Sequence, residues 1–160
     1  MTARTQNGVT AGRILVVDDE HAIREVIAAM LVPANYDCRE TASGLEALAL
    51  LESGGKFDLI LTDLMMTDLD GIALLERTKK KVPDLPVVIV TAVYDISVAL
   101  AAIRCGAFDY LMKPFEREQL LAVVRRALDD RRMKLEHRAY VSSLESQVAT
   151  LTEQLRLRKS

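Results

Sequence analysis

Along the chain, short runs of consecutive apolar residues alternate with segments in which apolar residues return every three or four positions. Ile14–Val17 is such a run, with Arg13 before it. Ala22, Ile23, Val26, Ile27, Met30 and Leu31 then follow at helical spacing, until Pro33 discourages further helix. Tyr36–Glu40 is a weaker strand candidate. In "SGLEALALLES" after it, Ser43 is placed to cap a helix, Glu46 stands three residues on, and Gly54-Gly55 stops it. The cycle recurs as Leu59–Thr62 then Ile72–Lys80, Val87–Thr91 then Ile96–Arg104, and Phe108–Leu111 then a helix from Glu116. The strands are near-continuously apolar instead of alternating. Five such units therefore predict an α/β fold, a doubly wound five-stranded parallel sheet covered by helices on both faces.

No glycine or proline interrupts residues 115–160, which predicts one extended C-terminal helix instead of a second domain. Leu144, Val148, Leu151 and Leu155 step by 4, 3 and 4, the spacing of a coiled-coil seam. Upstream the phase is poorer: Leu128 and Leu135 are seven apart, and reaching Leu144 through Ala139 or Tyr140 needs a stutter. A helix of some 40 residues cannot cover its apolar stripe on so small a domain. The expected remedy is a parallel homodimer through this segment; the plainer alternative is a connector helix that packs only against a further domain. The expected organisation is a flexible leader at 1–11, a globular domain at 12–130, and at 131–160 a coiled-coil extension or linker to an output domain absent from this chain.

Composition narrows the classes. At 160 residues and 50% apolar content the chain supports one substantial core. Residues 1–124 hold 12 Lys/Arg against 18 Asp/Glu, whereas residues 125–160 hold 9 against 5, so an acidic body of net charge -6 carries a tail of +4. The basic residues at 125, 126, 131, 132, 134 and 138 are interrupted by Asp129, Asp130 and Glu136, the pattern of a solvated helix face more than of a nucleic-acid surface. Cys38 and Cys105 are too few for a disulfide scaffold and read as reduced thiols of a cytoplasmic protein. No apolar run reaches membrane-spanning length, and no signal-peptide core is visible.

The alternation also organises the chemistry. Right-handed crossovers place all strand carboxyl ends on one edge. Asp18 and Asp19 follow the first strand, Asp63 the third, Thr91 ends the fourth and Lys113 follows the fifth, so three carboxylates, a hydroxyl and an ammonium are expected to converge. Such an oxygen-only donor set suits a hard cation such as Mg²⁺ that engages phosphate oxygens. Asp63, central in the sheet order usual for such folds, is the candidate nucleophile, since a carboxylate at neutral pH needs no base to attack. Lys113 and the Thr91 hydroxyl are placed to meet the charge on a transferred phosphoryl group. Each residue also has a plainer reading. Asp19 can cap the helix beginning near Glu20, Asp70 with Gly71 can be only a helix start, and a strand-end threonine is often a packing residue.

In "ILVVDDE" (14–20), "DLILTDLMMTDLDG" (58–71), "VVIVTA" (87–92) and "GAFDYLMKPF" (106–115), the chain closely resembles the receiver domain of bacterial two-component response regulators over about residues 12–130. The resemblance implies a flavodoxin-like strand order of 2-1-3-4-5 and a phosphorylated Asp63. It also implies an acidic pair, Asp18 and Asp19, that holds Mg²⁺ together with Asp63 and the backbone carbonyl of Met65. Thr91 matches the switch hydroxyl, Tyr110 the aromatic that swings inward with it, and Lys113 the phosphate-contacting lysine; Lys113–Pro114 occupies the place of a cis peptide. The implied partner is a sensor histidine kinase or phosphotransfer protein, and the implied function a phosphorylation-dependent signalling module that acts on itself without turning over an external substrate.

There are departures. Thr67 stands where the family usually has proline, which should leave the loop after Asp63 less restrained. Met65 and Val93, two residues after Asp63 and Thr91, cannot position water, so slow self-hydrolysis of the acyl phosphate is expected. Two alternatives stay open: a constitutive interaction and dimerisation module with a vestigial acidic site, and a metal-dependent phosphohydrolase, disfavoured because no second acid stands two residues after Asp63.

Overall fold

The computed structural model describes residues 10–158. Its elements are β1 (Gly12–Val17), α1 (His21–Leu31), a 3₁₀ turn (Val32–Ala34), β2 (Tyr36–Thr41), α2 (Gly44–Glu52), β3 (Leu59–Thr62), α3 (Gly71–Lys81), β4 (Val87–Thr91), α4 (Ile96–Arg104), β5 (Asp109–Met112) and α5 (Arg117–Arg158). All neighbouring strands are parallel, in the order β2-β1-β3-β4-β5. Of the leader expected at 1–11, residues 1–9 lie outside the described residues. Ala11 is already bound, its N–H donating to the Asn35 carbonyl at 2.8 Å.

The apolar strands are explained by two core layers. Ile14, Val16, Leu59, Leu61, Val88 and Val90 face Ile27 and Leu31 of α1 and Leu120, Val123, Val124 and Ala127 of α5. Leu15, Val17, Ile60, Val87 and Ile89 face α2, α3 and α4 through Ala47, Leu48, Leu74, Leu75 and Ala102. Adjacent strand residues point to opposite layers, so a strand buried on both faces has no polar alternation.

Helix starts follow local chemistry. Ser43 caps α2 by accepting from the Glu46 N–H at 3.1 Å, as the spacing predicts, and Asp70 caps α3 by accepting from the Ala73 N–H at 2.8 Å. Asp19 does not cap α1. That helix starts at His21 behind Glu20, and the Glu20 N–H is taken by the Asp18 carboxylate at 2.9 Å. The fifth strand lies one residue later than the apolar run suggests, because Phe108 is an entry residue whose N–H donates to the Val87 carbonyl at 2.8 Å.

The uninterrupted C-terminal pattern forms a single helix of 42 residues, about 63 Å long at 1.5 Å per residue. Its buried residues end at Ala127. Beyond them Arg131 pairs with Asp58 at 3.6 Å and Arg138 pairs with Asp84, so polar contacts hold α5 to the amino-terminal edge of the sheet after its apolar contacts stop. No described helix is long and apolar enough to cross a membrane.

Candidate phosphoacceptor site

The strand ladders continue one residue past the strands and fix the site backbone. The Asp18 N–H donates to the Thr41 carbonyl at 3.1 Å, the Asp63 N–H to Val17 at 3.0 Å, and the Lys113 N–H to Thr91 at 2.9 Å. Three side chains distant in sequence are thereby held on one edge. The Lys113–Pro114 peptide is cis.

Lys113 lies between two carboxylates, its Nζ 2.7 Å from Asp18 Oδ2 and 3.1 Å from Asp63 Oδ2. The side chains of Lys113, Asp18 and Asp63 are 11%, 3% and 8% exposed, which makes this a largely desolvated triad. Burial alone would lower the lysine's pKa, but the hydrogen bonds and charges of Asp18 and Asp63 outweigh it and raise the pKa above its ordinary value of 10.5. The other Asp63 oxygen, Oδ1, accepts from the Leu64 N–H at 2.7 Å and the Met65 N–H at 3.4 Å. Asp19 completes the cluster from an exposed position, and carboxylate oxygens of Asp18, Asp19 and Asp63 all lie within 4.8 Å of one another. With only oxygen donors, the set fits a hard divalent cation better than zinc or a soft metal.

Thr91 is buried at the same edge, its Oγ1 accepting from the Val93 N–H at 3.3 Å. Tyr110 is half-buried and donates its hydroxyl to the Val93 carbonyl at 2.8 Å. Its pKa is raised by burial and then by the negative charges of Asp63 and Asp95. The pocket that Thr91 lines with Asp19 and Asp63 also includes Ile23, Met65, Val93 and Lys113. All the expected site residues, Asp18, Asp19, Asp63, Met65, Thr91, Tyr110 and Lys113, thus lie on or beside one rim. The sequence reading missed Arg24, whose guanidinium donates to the Asp18 carbonyl at 2.6 Å. Its position one turn into α1 was the available signal.

A parallel five-stranded sheet with a carboxylate cluster and a lysine at the carboxyl ends of its strands defines a class of phosphorylation-based signalling folds. Comparison with known proteins makes this particular: the response regulator receiver domain family matches residues 14–125, and the chain belongs to that family. It is similar to the DNA-binding transcriptional regulator NtrC of Salmonella typhimurium, with 43% identity over 117 residues that cover 73% of this chain and 25% of that protein. The regulatory protein AtoC of Escherichia coli is 36% identical over 126 residues, which cover 79% of this chain and 27% of AtoC. The chain therefore spans about a quarter of the length of these curated relatives. Among solved structures, NtrX from Brucella abortus in complex with ADP superposes with a TM-score of 0.75 at 36% identity, covering 88% of this chain and 30% of that one. A CheY-like receiver domain protein from Methanospirillum hungatei gives 0.72 at 31% identity, covering 76% and 97%.

Proposed function

We propose that Asp63 accepts a phosphoryl group from the phosphohistidine of a sensor kinase or phosphotransfer protein, within a receiver spanning residues 12–130. The observation that carries this is the convergence at one edge: Lys113 bonded to both Asp18 and Asp63, with Asp19 in the same cluster. In the reaction an Asp63 carboxylate oxygen attacks phosphorus, a new O–P bond forms, and the P–N bond breaks with its electron pair passing to the imidazole. Asp18, Asp19, Asp63 and the Met65 carbonyl would hold Mg²⁺. That ion would neutralise the carboxylates and polarise the phosphoryl oxygens. Lys113 holds Asp63 in place beforehand and then turns its ammonium to the added charge of about -1.5 to -2. Thr91 exchanges its contact with the Val93 N–H for a phosphoryl oxygen. Tyr110, bonded to the carbonyl of the same Val93, follows that loop and carries the change to α4 and β5.

We propose also that the extension expected at 131–160, of which α5 describes residues 131–158, forms a parallel two-stranded coil with a second copy of the chain and conveys the receiver's state to an output module. Leu144, Val148, Leu151 and Leu155 are 41%, 61%, 58% and 60% exposed along one stripe. Val141, three residues before Leu144 and 37% exposed, extends the seam without a stutter. Val141 and Val148 at one core position with Leu144 and Leu151 at the other give the composition that favours two parallel strands, and Leu155 continues the valine register with a leucine. The seam stops upstream where Lys134 and His137 would occupy it, the stretch in which Arg131 and Arg138 bind the receiver body.

The deciding experiment incubates the chain with Mg²⁺ and acetyl phosphate and measures mass and oligomeric state for wild type and Asp63→Ala. An added phosphoryl mass in wild type alone is expected. Uptake by Asp63→Ala, or none by wild type from acetyl phosphate or a cognate kinase, refutes the assignment.

A further inference from the structure

We infer that Asp68 is a positioning residue for the phosphoacceptor loop, clasping residues 64–70 to the start of α2 and supplying the restraint that Thr67 does not. The inference rests on the proposed role of Asp63 and concerns what holds that residue's loop. Asp68 Oδ2 accepts from the Ser43 hydroxyl and from the Leu45 N–H at 3.3 Å, while Oδ1 accepts from the Leu69 N–H at 2.8 Å. The Ser43 oxygen at the same time accepts from the Glu46 N–H at 3.1 Å, so one hydroxyl joins the helix cap to the loop. The carboxylate lies where a helix start favours negative charge, and the Ser43 bond, followed by the backbone amides, lowers its pKa.

Two glycines show how closely the loop is seated. A Cβ at Gly44, in the first turn of α2, would stand 3.0 Å from both the Leu69 Cβ and its carbonyl oxygen. At the loop's far end a Cβ at Gly71 would stand 2.3 Å from the Asp63 carbonyl oxygen, and the Gly71 N–H donates to the Leu64 carbonyl at 3.0 Å. The loop is thus closed at its base and fastened near its tip by Asp68. Between these points lie the Met65 carbonyl and the Leu64 and Met65 amides that hold Asp63 Oδ1. Groups that orient a nucleophile or hold a small cation tolerate displacements of only about 0.5 Å. A proline at 67 would restrain the loop through the backbone; Asp68 does so through a side chain reaching an element 25 residues away in sequence.

The test compares wild type, Asp68→Ala, Asp68→Asn and the double variant Asp68→Ala with Thr67→Pro, all as the full chain. Amide exchange at Leu64 and Met65 is read by NMR without metal, then the Mg²⁺ concentration that half-saturates the site and the rate of phosphoryl uptake. In Asp68→Ala, which removes all three bonds, exchange should be at least about tenfold faster, the ratio that loss of even one charge-assisted hydrogen bond supports, and half-saturation should move severalfold upward. Asp68→Asn, which keeps an acceptor, should fall between. The added proline should bring both quantities back toward wild type, a rescue that a merely structural aspartate would not show. Unchanged exchange in Asp68→Ala, or a folded double variant no closer to wild type than Asp68→Ala, overturns the inference. A wild type that takes up no phosphoryl group counts against the proposed function alone, because exchange in the metal-free chain still decides the clasp.

Discussion

Replacing Lys113 by methionine removes the positive charge from a site that keeps its three carboxylates. The ammonium contacts Asp18 and Asp63 at 2.7 and 3.1 Å, and both carboxylate side chains are less than a tenth exposed. At an effective dielectric constant near 20, each contact corresponds to about 5–6 kcal/mol of gross attraction, partly cancelled by the desolvation of the lysine. Removing one partner of a buried pair destabilises proteins by about 3–5 kcal/mol, because the other charge is left without compensation. Here Asp19 is exposed and the site opens into a pocket, so water reaches it and screening brings the cost to the lower end of that range or just below, about 2–3 kcal/mol. For a domain of this size that is about 8–12 °C in Tm.

Mg²⁺ makes the prediction specific. A cation at the carboxylates replaces the missing ammonium in Lys113→Met, whereas in wild type it meets a cluster already partly neutralised. Thermal melts in EDTA should show the deficit. Saturating Mg²⁺, worth about 2.7 kcal/mol at a hundredfold excess over Kd, should close most of it and raise the variant more than wild type. The pH dependence has a definite sign. Because the folded-state pKa of Lys113 is raised, its stabilisation is fully present below the unfolded value of 10.5 and is lost as pH rises through the folded value. The gap between the two proteins should be constant from pH 7 to 9 and narrow only above about 10.5. Equal Tm values in EDTA, or equal Mg²⁺ shifts for both proteins, would refute this account of the triad.

Leu151→Asp should convert a dimer into a monomer in analytical ultracentrifugation while leaving the receiver's unfolding transition in place, since Leu151 is 58% exposed and touches no core; a wild type that is monomeric at 100 µM, or a dimer that survives the charge, would dispose of the coil. Cys38 is held at a pKa of about 12 by burial and the nearby charges of Asp37 and Glu40, so at pH 8 only about one molecule in ten thousand carries the thiolate there. Cys105 is also raised, by burial and by its contact with Glu76 at 3.6 Å. Iodoacetamide should therefore modify both cysteines promptly in denaturant and neither on the same timescale in the native chain, which peptide mass spectrometry reads directly.

How much could be read in advance follows from the range of the interactions. The strands β1, β3 and β4 were legible because burial on both faces leaves nearly unbroken apolar runs, and the caps at Ser43 and Asp70 because their partners stand three residues away. The site was legible through topology: parallel strands carry residues 18, 63 and 113 to one edge whatever their side chains do next. Side-chain contacts across long sequence separations left no periodic signal. Asp68 on Ser43, Arg131 on Asp58 and Arg138 on Asp84 each join residues that only the folded sheet brings together. The plainer alternative for Asp19, a cap on α1, stayed open because the sequence does not reveal which of two adjacent carboxylates turns toward the Glu20 amide; that one is Asp18.

Those unread contacts give the long helix a defined relation to the site. Strand β3 has four residues, with Asp58 just before it and Asp63 just after. Asp58 accepts from the Arg13 N–H at 2.8 Å and pairs with Arg131, while Asp63 holds Lys113. One fully buried strand thus separates Asp63 from the ion pair that fastens α5 to the opposite edge. Apolar packing of α5 against the core ends at Leu128, and the exposed seam begins only at Val141. The ion pairs at Asp58 and Asp84 fill that interval, so they, and not the core, set the direction in which the seam leaves the receiver. A surface ion pair contributes little stability, about 0–1 kcal/mol, but fixing the direction of a stiff helix needs only that two anchor points along it persist. In the parallel coil proposed above, the extension would in this way report a change of receiver state as a change in the angle between two seams.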